Sequence, residues 1–162
     1  MTRIVCVFLL FLLVTACEGL DEGAACGPTR AVVERVIDGD TVVLTDGERV
    51  RTLLIDAPET TGGKNECFGD EATQFKADLV LGRKVELVYD QECRDSFGRL
   101  LAYINVGDRD VSELLVERGY ACVLHIPPNG DDRVEHLDEL EAAARDARRG
   151  MWGACMEVPC AS

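Results

Sequence analysis

Three short runs rich in β-branched residues follow one another between Ala31 and Ile55, and the breaks between them are Asp-Gly turns. Ala31 to Ile37 (AVVERVI) is separated from Thr41 to Thr45 (TVVLT) by Asp38-Gly39-Asp40, and Asp46-Gly47 leads into Arg49 to Ile55 (RVRTLLI). Such turns join neighbouring strands, so the pattern predicts an antiparallel meander. Ala57-Pro58 ends the third strand, and Glu59 to Glu66 reads as a polar loop. Phe68, Ala72, Phe75 and Leu79 recur at helical spacing up to Leu81, with Gly82 as the stop. Lys84 to Tyr89 and Arg99 to Val106 supply two further strands. A second helix is expected from near Asp110 to Gly119 and a third over about Asp132 to Arg149, with Trp152 after it as a core plug. Five strands with a helix between the third and fourth fit an α+β class, a five-stranded OB-fold β-barrel with three helices. That architecture alone does not specify a function.

The N-terminus reads as an export signal. Arg3 is a short positive region, and Ile4 to Val14 is an apolar run of secretory-signal length. It falls short of the roughly 20 apolar residues that a spanning helix needs. Val14-Thr15-Ala16-Cys17 resembles a bacterial lipobox, in which the peptidase cuts before the cysteine and the sulfur takes a lipid. Residues 1–16 are therefore expected to be a lipoprotein signal peptide and residues 17–25 a lipidated Cys17 with an acidic tether. Residues 26–162 form the folded domain. The expected location is the cell envelope, on the periplasmic or outer side of a bacterial membrane, through acyl chains that each add about 0.8 kcal/mol per buried CH₂.

Of eight cysteines, Cys6 leaves with the signal and Cys17 carries lipid, so Cys26, Cys67, Cys93, Cys122, Cys155 and Cys160 remain. An even set in an exported domain points to three disulfides, whose connectivity is open. No C-x-x-C pair occurs and neither histidine lies at ligand spacing from a cysteine, which disfavours zinc. The formal charge of −13 argues against non-specific attraction to nucleic acid. Any chemistry on phosphates must rest on a local site.

Three segments carry more charge than plain structure requires. Ile37-Asp38-Gly39-Asp40-Thr41 is a turn with two acids. Arg51 to Glu59 is a strand that bears Arg51, ends at Asp56 and turns through Pro58 to present Glu59. Asp95-Ser96-Phe97-Gly98-Arg99 sets an arginine at the mouth of the last strand. The motifs D-G-D-T, R-x-x-x-x-D-x-P-E and D-x-[FY]-G-R-x-L-A-Y, in this order, resemble the staphylococcal nuclease family from about Ala31 to Trp152.

That resemblance implies a Ca²⁺-dependent phosphodiesterase that cuts DNA and RNA with little sequence preference and leaves 3′-phosphate ends. Asp40, Asp56 and the Ala57 carbonyl are then the Ca²⁺ ligands, with Asp38 nearby through water. Glu59 orients or deprotonates the attacking water, and Arg51 and Arg99 hold the phosphate. Phe97 stands where many relatives have tyrosine. His125 and Pro127 stand where the archetype has tyrosines of the nucleotide pocket, so Phe97 and His125 are the candidate substrate contacts. The rival reading is a non-catalytic Ca²⁺-dependent module that binds an oligonucleotide or other ligand at the cell surface. No protein partner is implied, and a monomer acting on single-stranded DNA or RNA is expected. Cys67 and Cys93 flank the loops of Glu59 and Arg99, which makes Cys67–Cys93 the expected bridge. Cys26, Cys122, Cys155 and Cys160 then share the other two.

Overall fold

The computed structural model describes residues 26–160; Cys17, the signal segment and the acidic tether lie outside the described residues. The meander is present as β1 (Arg30–Val36), β2 (Thr41–Leu44) and β3 (Arg49–Thr52), antiparallel throughout. A two-residue strand β4 (Ile55–Asp56) precedes helix α1 (Gly69–Val80). Next come β5 (Lys84–Val88), β6 (Leu100–Val106) and the short β7 (Arg109–Asp110). Helix α2 (Val111–Arg118), β8 (Cys122–Val123), α3 (Val134–Asp146) and a single turn α4 (Met151–Ala154) complete the order.

The sheet order β3-β2-β1-β5-β6 closes on itself through a parallel pairing of β3 with β6, a five-stranded mixed barrel. Closure removes the exposed edges that an open sheet would leave. Val33, Val42, Leu44, Val50, Leu100 and Ile104 point inward and are fully buried. Burying each such side chain stabilises the fold by roughly 1.5–3 kcal/mol. Helix α2 is capped by Asp110, whose side chain accepts from Ser112 N at 2.7 Å, and ends at Gly119 with φ 73°. Ser112 Oγ reaches back to Leu53 O at 3.1 Å and ties this helix to the end of β3.

Two expectations need correction. The run Arg49 to Ile55 is not one strand. It breaks at Leu53-Leu54, where Leu54 takes φ 63°, and resumes as β4 paired with β8 through Asp56↔Cys122. A leucine in that region costs on the order of 1–2 kcal/mol; burial of its side chain, only 4% exposed and packed on Gly130, offsets this. Met151, not Trp152, is the fully buried residue after α3. Trp152 is half-buried beneath the Arg145 guanidinium, which lies 4.3 Å from its ring centroid.

Three disulfides form, but Cys67 and Cys93 do not pair. The bridges are Cys26–Cys93, Cys67–Cys155 and Cys122–Cys160. β1 runs antiparallel to β5, with Arg30 opposite Glu86 and Thr29 O accepting from Leu87 N at 2.8 Å. The chain before β1 therefore passes the exit of β5, and Cys26 meets Cys93 there. Loops of 67, 88 and 38 residues are closed, which restricts the unfolded chain by roughly 4 kcal/mol per bridge in the chain-entropy account.

Candidate active site

The break at Leu53-Leu54 is what assembles the acids with the arginine. In an unbroken strand Arg51 and Asp56 would be an odd number of residues apart and would face opposite sides, about 16 Å from each other along the strand. With the break, Arg51 Nη2 lies 3.6 Å from Asp56 Oδ1 and 3.2 Å from Asp40 Oδ2. Arg51 Nη1 also donates to Thr52 O at 2.8 Å, which fixes the plane of the guanidinium.

Asp40 is held from several directions. Its Oδ1 accepts from Thr41 Oγ1 at 2.7 Å, and its Oδ2 accepts from Ala57 N at 3.4 Å. Its carbonyl accepts from Thr52 N at 2.8 Å. Asp38 lies in the same turn, 8% exposed, and its Oδ1 accepts from the backbone N–H groups of Asp40 and Thr41. Burial, then the charge of Asp40, pushes the Asp38 carboxyl up to about 6. Gly39 is needed here for close approach: a Cβ would meet Ala57 Cβ at 2.4 Å and Ala72 Cβ at 3.2 Å. The acidic turn thereby sits directly against the Asp56-Ala57 segment.

The parallel register of β3 and β6 explains why both arginines share one groove. Arg51 is the Cα partner of Leu101, and Arg99 precedes Leu101 by two residues, on the same face. A groove of about 490 Å³ runs past Arg51, Leu101, Arg99 and Phe97. Arg99 is anchored through Nε, which donates to Asp95 Oδ2 at 2.6 Å. Its two Nη groups have no acceptor among the described residues. Burial opposes ionisation of Asp95, but its hydrogen bonds from Arg99 and Phe97 hold its carboxyl below the ordinary value. Phe97 is 80% exposed on the groove, with the Arg99 guanidinium 5.5 Å from its ring centroid.

The other expected residues are placed less directly. Glu59 begins the loop three residues beyond Asp56, and its Oε1 accepts from Thr61 N at 3.1 Å and from Thr61 Oγ1. His125 is not brought into the groove. Its Nε2 lies 2.9 Å from Asp131 Oδ1, while its neighbours Leu124 and Ile126 form the wall.

The donor set can be tested against a metal ion. Asp40, Asp56, Asp38 and the Ala57 carbonyl offer oxygen only, and the three carboxylates are gathered around the single guanidinium of Arg51, which is ion-paired with Asp40 and Asp56. Oxygen donors with surplus negative charge fit a hard divalent cation. A second cluster of metal-ligating residue types among the described residues does not fit one: Cys122 and Cys160 are joined in a disulfide beside Glu141.

Two residues at the site carry no motif signal. Lys76 of α1 is fully buried, and its Nζ donates to Thr52 Oγ1 at 2.5 Å. Glu66 brackets Glu59 from the far end of the loop. A lysine four residues after Ala72, on the inward stripe of α1, is the one mark in the sequence that could have disclosed the first.

A family model described as "Staphylococcal nuclease homologue" matches residues 49–154. Arg51, Asp56, Glu59 and Arg99 fall inside that span, and Asp40 precedes it. The chain is 34% identical over 126 residues to a protein named "Thermonuclease" from Staphylococcus intermedius, covering 75% of this chain and 74% of the relative. It is 34% identical over 138 residues to a protein named "Uncharacterized endonuclease" in Escherichia coli, covering 83% and 84%. "Endonuclease YncB" of Bacillus subtilis is also 34% identical, over 127 residues, and there the match spans 60% of the longer relative. Motif order, barrel closure, the convergence of Arg51, Asp40 and Asp56, and these likenesses agree: the chain belongs to the staphylococcal nuclease family.

Proposed function

We propose that the chain is a calcium-dependent phosphodiesterase that hydrolyses DNA and RNA with little sequence preference and leaves 3′-phosphate ends. The observation that carries this reading is the juxtaposition of the Asp40–Arg51–Asp56 cluster with a groove that also holds the unpaired fork of Arg99.

A phosphodiester gains negative charge on its equatorial oxygens as phosphorus becomes five-coordinate. Guanidiniums aimed at that charge stabilise the transition state more than the ground state. Arg99 supports this role because Asp95 engages Nε and leaves the planar end of the fork for a phosphate. Arg51 is held beside the acids by Asp40, Asp56 and Thr52 O, and its Nη2 would exchange the two ion pairs for the phosphate when the carboxylates hold the ion. Asp40, Asp56 and the Ala57 carbonyl would hold Ca²⁺, with Asp38 behind them. The ion would supply Lewis-acid stabilisation of the phosphate. Glu59 has one carboxylate oxygen engaged by Thr61, while Oε2 has no donor among the described residues. That oxygen is suited to orient or accept a proton from water.

Substrate enters along an exposed aromatic, Phe97, flanked by Leu124 and Ile126, a wall that favours unpaired bases over duplex. We further propose that lipid on Cys17 holds the domain at the envelope. The test is cleavage of a single-stranded oligonucleotide and of RNA in millimolar Ca²⁺ and in EGTA, with end-group analysis. Products with 3′-phosphate ends in Ca²⁺ and none in EGTA are expected. Binding without cleavage would favour the non-catalytic module instead.

A further inference from the structure

Glu59 lies on a loop whose two ends are clamped together. Glu59 N donates to Glu66 Oε2 at 2.8 Å, and Glu66 N donates to Glu59 O at 3.0 Å. The same segment rests on the bare backbone of Gly69 in α1: a Cβ there would meet Thr60 Cγ2 at 2.7 Å, Pro58 O at 3.2 Å and Glu59 O at 3.4 Å. Between the clamped ends, Thr61 to Asn65 are exposed, and Gly62 and Gly63 both have positive φ. That stretch has few packed contacts to hold Glu59 by itself. The bonds to Glu66 hold the Glu59 backbone, from which the carboxylate, engaged by Thr61, is presented.

Glu66 is held on its far side by Gly69 N, which donates to its carbonyl at 3.0 Å, and by the residue that follows it. Cys67 is bonded to Cys155, with their Cα atoms 5.9 Å apart. Cys155 follows α4, whose Met151 is fully buried and donates its N–H to Gly119 O at 2.9 Å. A covalent path therefore runs from a core-anchored turn through Cys155 and Cys67 to Glu66, and two hydrogen bonds carry it on to Glu59.

We propose that the Cys67–Cys155 disulfide, acting through Glu66, is the positioning device that holds Glu59 for hydrolysis. This rests on Glu59 being the residue that orients or activates water. With the bridge closed, Glu66 is fixed and Glu59 is presented. With it reduced by a dithiol, which gives up two electrons and two protons and becomes a disulfide itself, Cys67 and Cys155 become free thiols and the clamp loosens. The hydrolytic site is then completed by oxidation. A chain with reduced thiols then carries a slower nuclease.

A bridge that only staples the fold would alter the folded fraction, and its loss would cost the same with or without the Glu59 carboxylate. A double-mutant cycle separates the two. Single-turnover cleavage of a single-stranded oligonucleotide in saturating Ca²⁺ is measured for the full chain, Cys67→Ser/Cys155→Ser, Glu59→Gln and their combination, with melting curves and Ca²⁺ titrations alongside. Opening the bridge is expected to slow wild type at least tenfold, to leave Glu59→Gln within twofold, and to leave Ca²⁺ affinity within twofold. Glu66→Ala, which keeps the bridge, repeats the cycle should the serine variant fold poorly, and the same dependence on Glu59 is expected. Equal losses in both backgrounds, or no loss in wild type, would overturn the brace while leaving the hydrolytic assignment standing. A Glu59→Gln variant as fast as wild type would overturn both.

Discussion

Lys76 Nζ donates to Thr52 Oγ1 across 2.5 Å in the interior, directly behind the acidic cluster. The backbone of that threonine donates to Asp40 O at 2.8 Å and accepts from Arg51 Nη1 at 2.8 Å. The pair thus underlies both an acid and an arginine of the site. Burial pushes Lys76 down to about 7, against the attraction of Asp40; Arg51 adds to the depression, and Asp38 and Asp110 oppose it.

Lys76 makes stability depend on pH. Its folded value lies below its ordinary 10.5, so the unfolded chain binds the proton more tightly. The stability linked to it is present above 10.5 and is lost as pH falls toward 7, with a slope of at most about 1.4 kcal/mol per pH unit. Denaturant melts in EGTA at pH 7.5 and 9.5 should show wild type gaining stability at the higher pH relative to Lys76→Met. Parallel behaviour of the two proteins would show that Lys76 carries no such linkage.

Gly39→Ala is expected to push the acidic turn away from Ala57, because its Cβ would arrive 2.4 Å from Ala57 Cβ. Overpacking of this kind costs roughly 1–3 kcal/mol. Here it should also weaken Ca²⁺ binding, as measured by calorimetric titration, since Asp40 moves relative to Asp56. A stable variant with unchanged Ca²⁺ affinity would remove the close-approach account of the Asp-Gly-Asp motif.

Phe97→Ala should raise KM for single-stranded DNA with kcat nearly unchanged. Base stacking on an exposed ring contributes about 1–3 kcal/mol, and Phe97 is 80% exposed, so the melting temperature should hardly move. An unchanged KM would mean that the substrate passes elsewhere.

Cys17→Ser should release the protein from the membrane fraction or block its maturation. Fractionation with labelled acyl chains checks this. A mutant that still takes up label and sediments with membranes would place the anchor at another residue.

Much of this was legible in the sequence because the information was local. The Asp-Gly turns delimit β1 to β3, and the helical stripe of Ala72, Phe75 and Leu79 marks α1. Asp40, Arg51 and Asp56 lie in motifs that the fold gathers into one ion-paired cluster, and Arg99 lies in a third motif that lines the same groove as Arg51. Three features were hidden because they depend on tertiary contact. The turn at Leu54 looks like ordinary strand until Gly130 is packed against it. The disulfides follow from where β5 exits and where α4 docks, so Cys67–Cys93 was a reasonable pairing by sequence position and a wrong one in space. His125 sits at the expected place along the chain, yet its ring is turned to Asp131.

The central claim is that Arg51, Glu59 and Arg99 each act on the phosphodiester in the transition state. Its most direct test is single-turnover cleavage by Arg51→Lys, Glu59→Gln and Arg99→Lys in saturating Ca²⁺, each beside a melting curve. Arg→Lys keeps the charge and removes the fork, and Glu→Gln keeps the size and removes the basic oxygen. Loss of one transition-state contact commonly lowers the rate about 10²–10³-fold. The account predicts losses of that order in all three with little change in melting. Rates near wild type in all three, or losses matched by early unfolding, would contradict it.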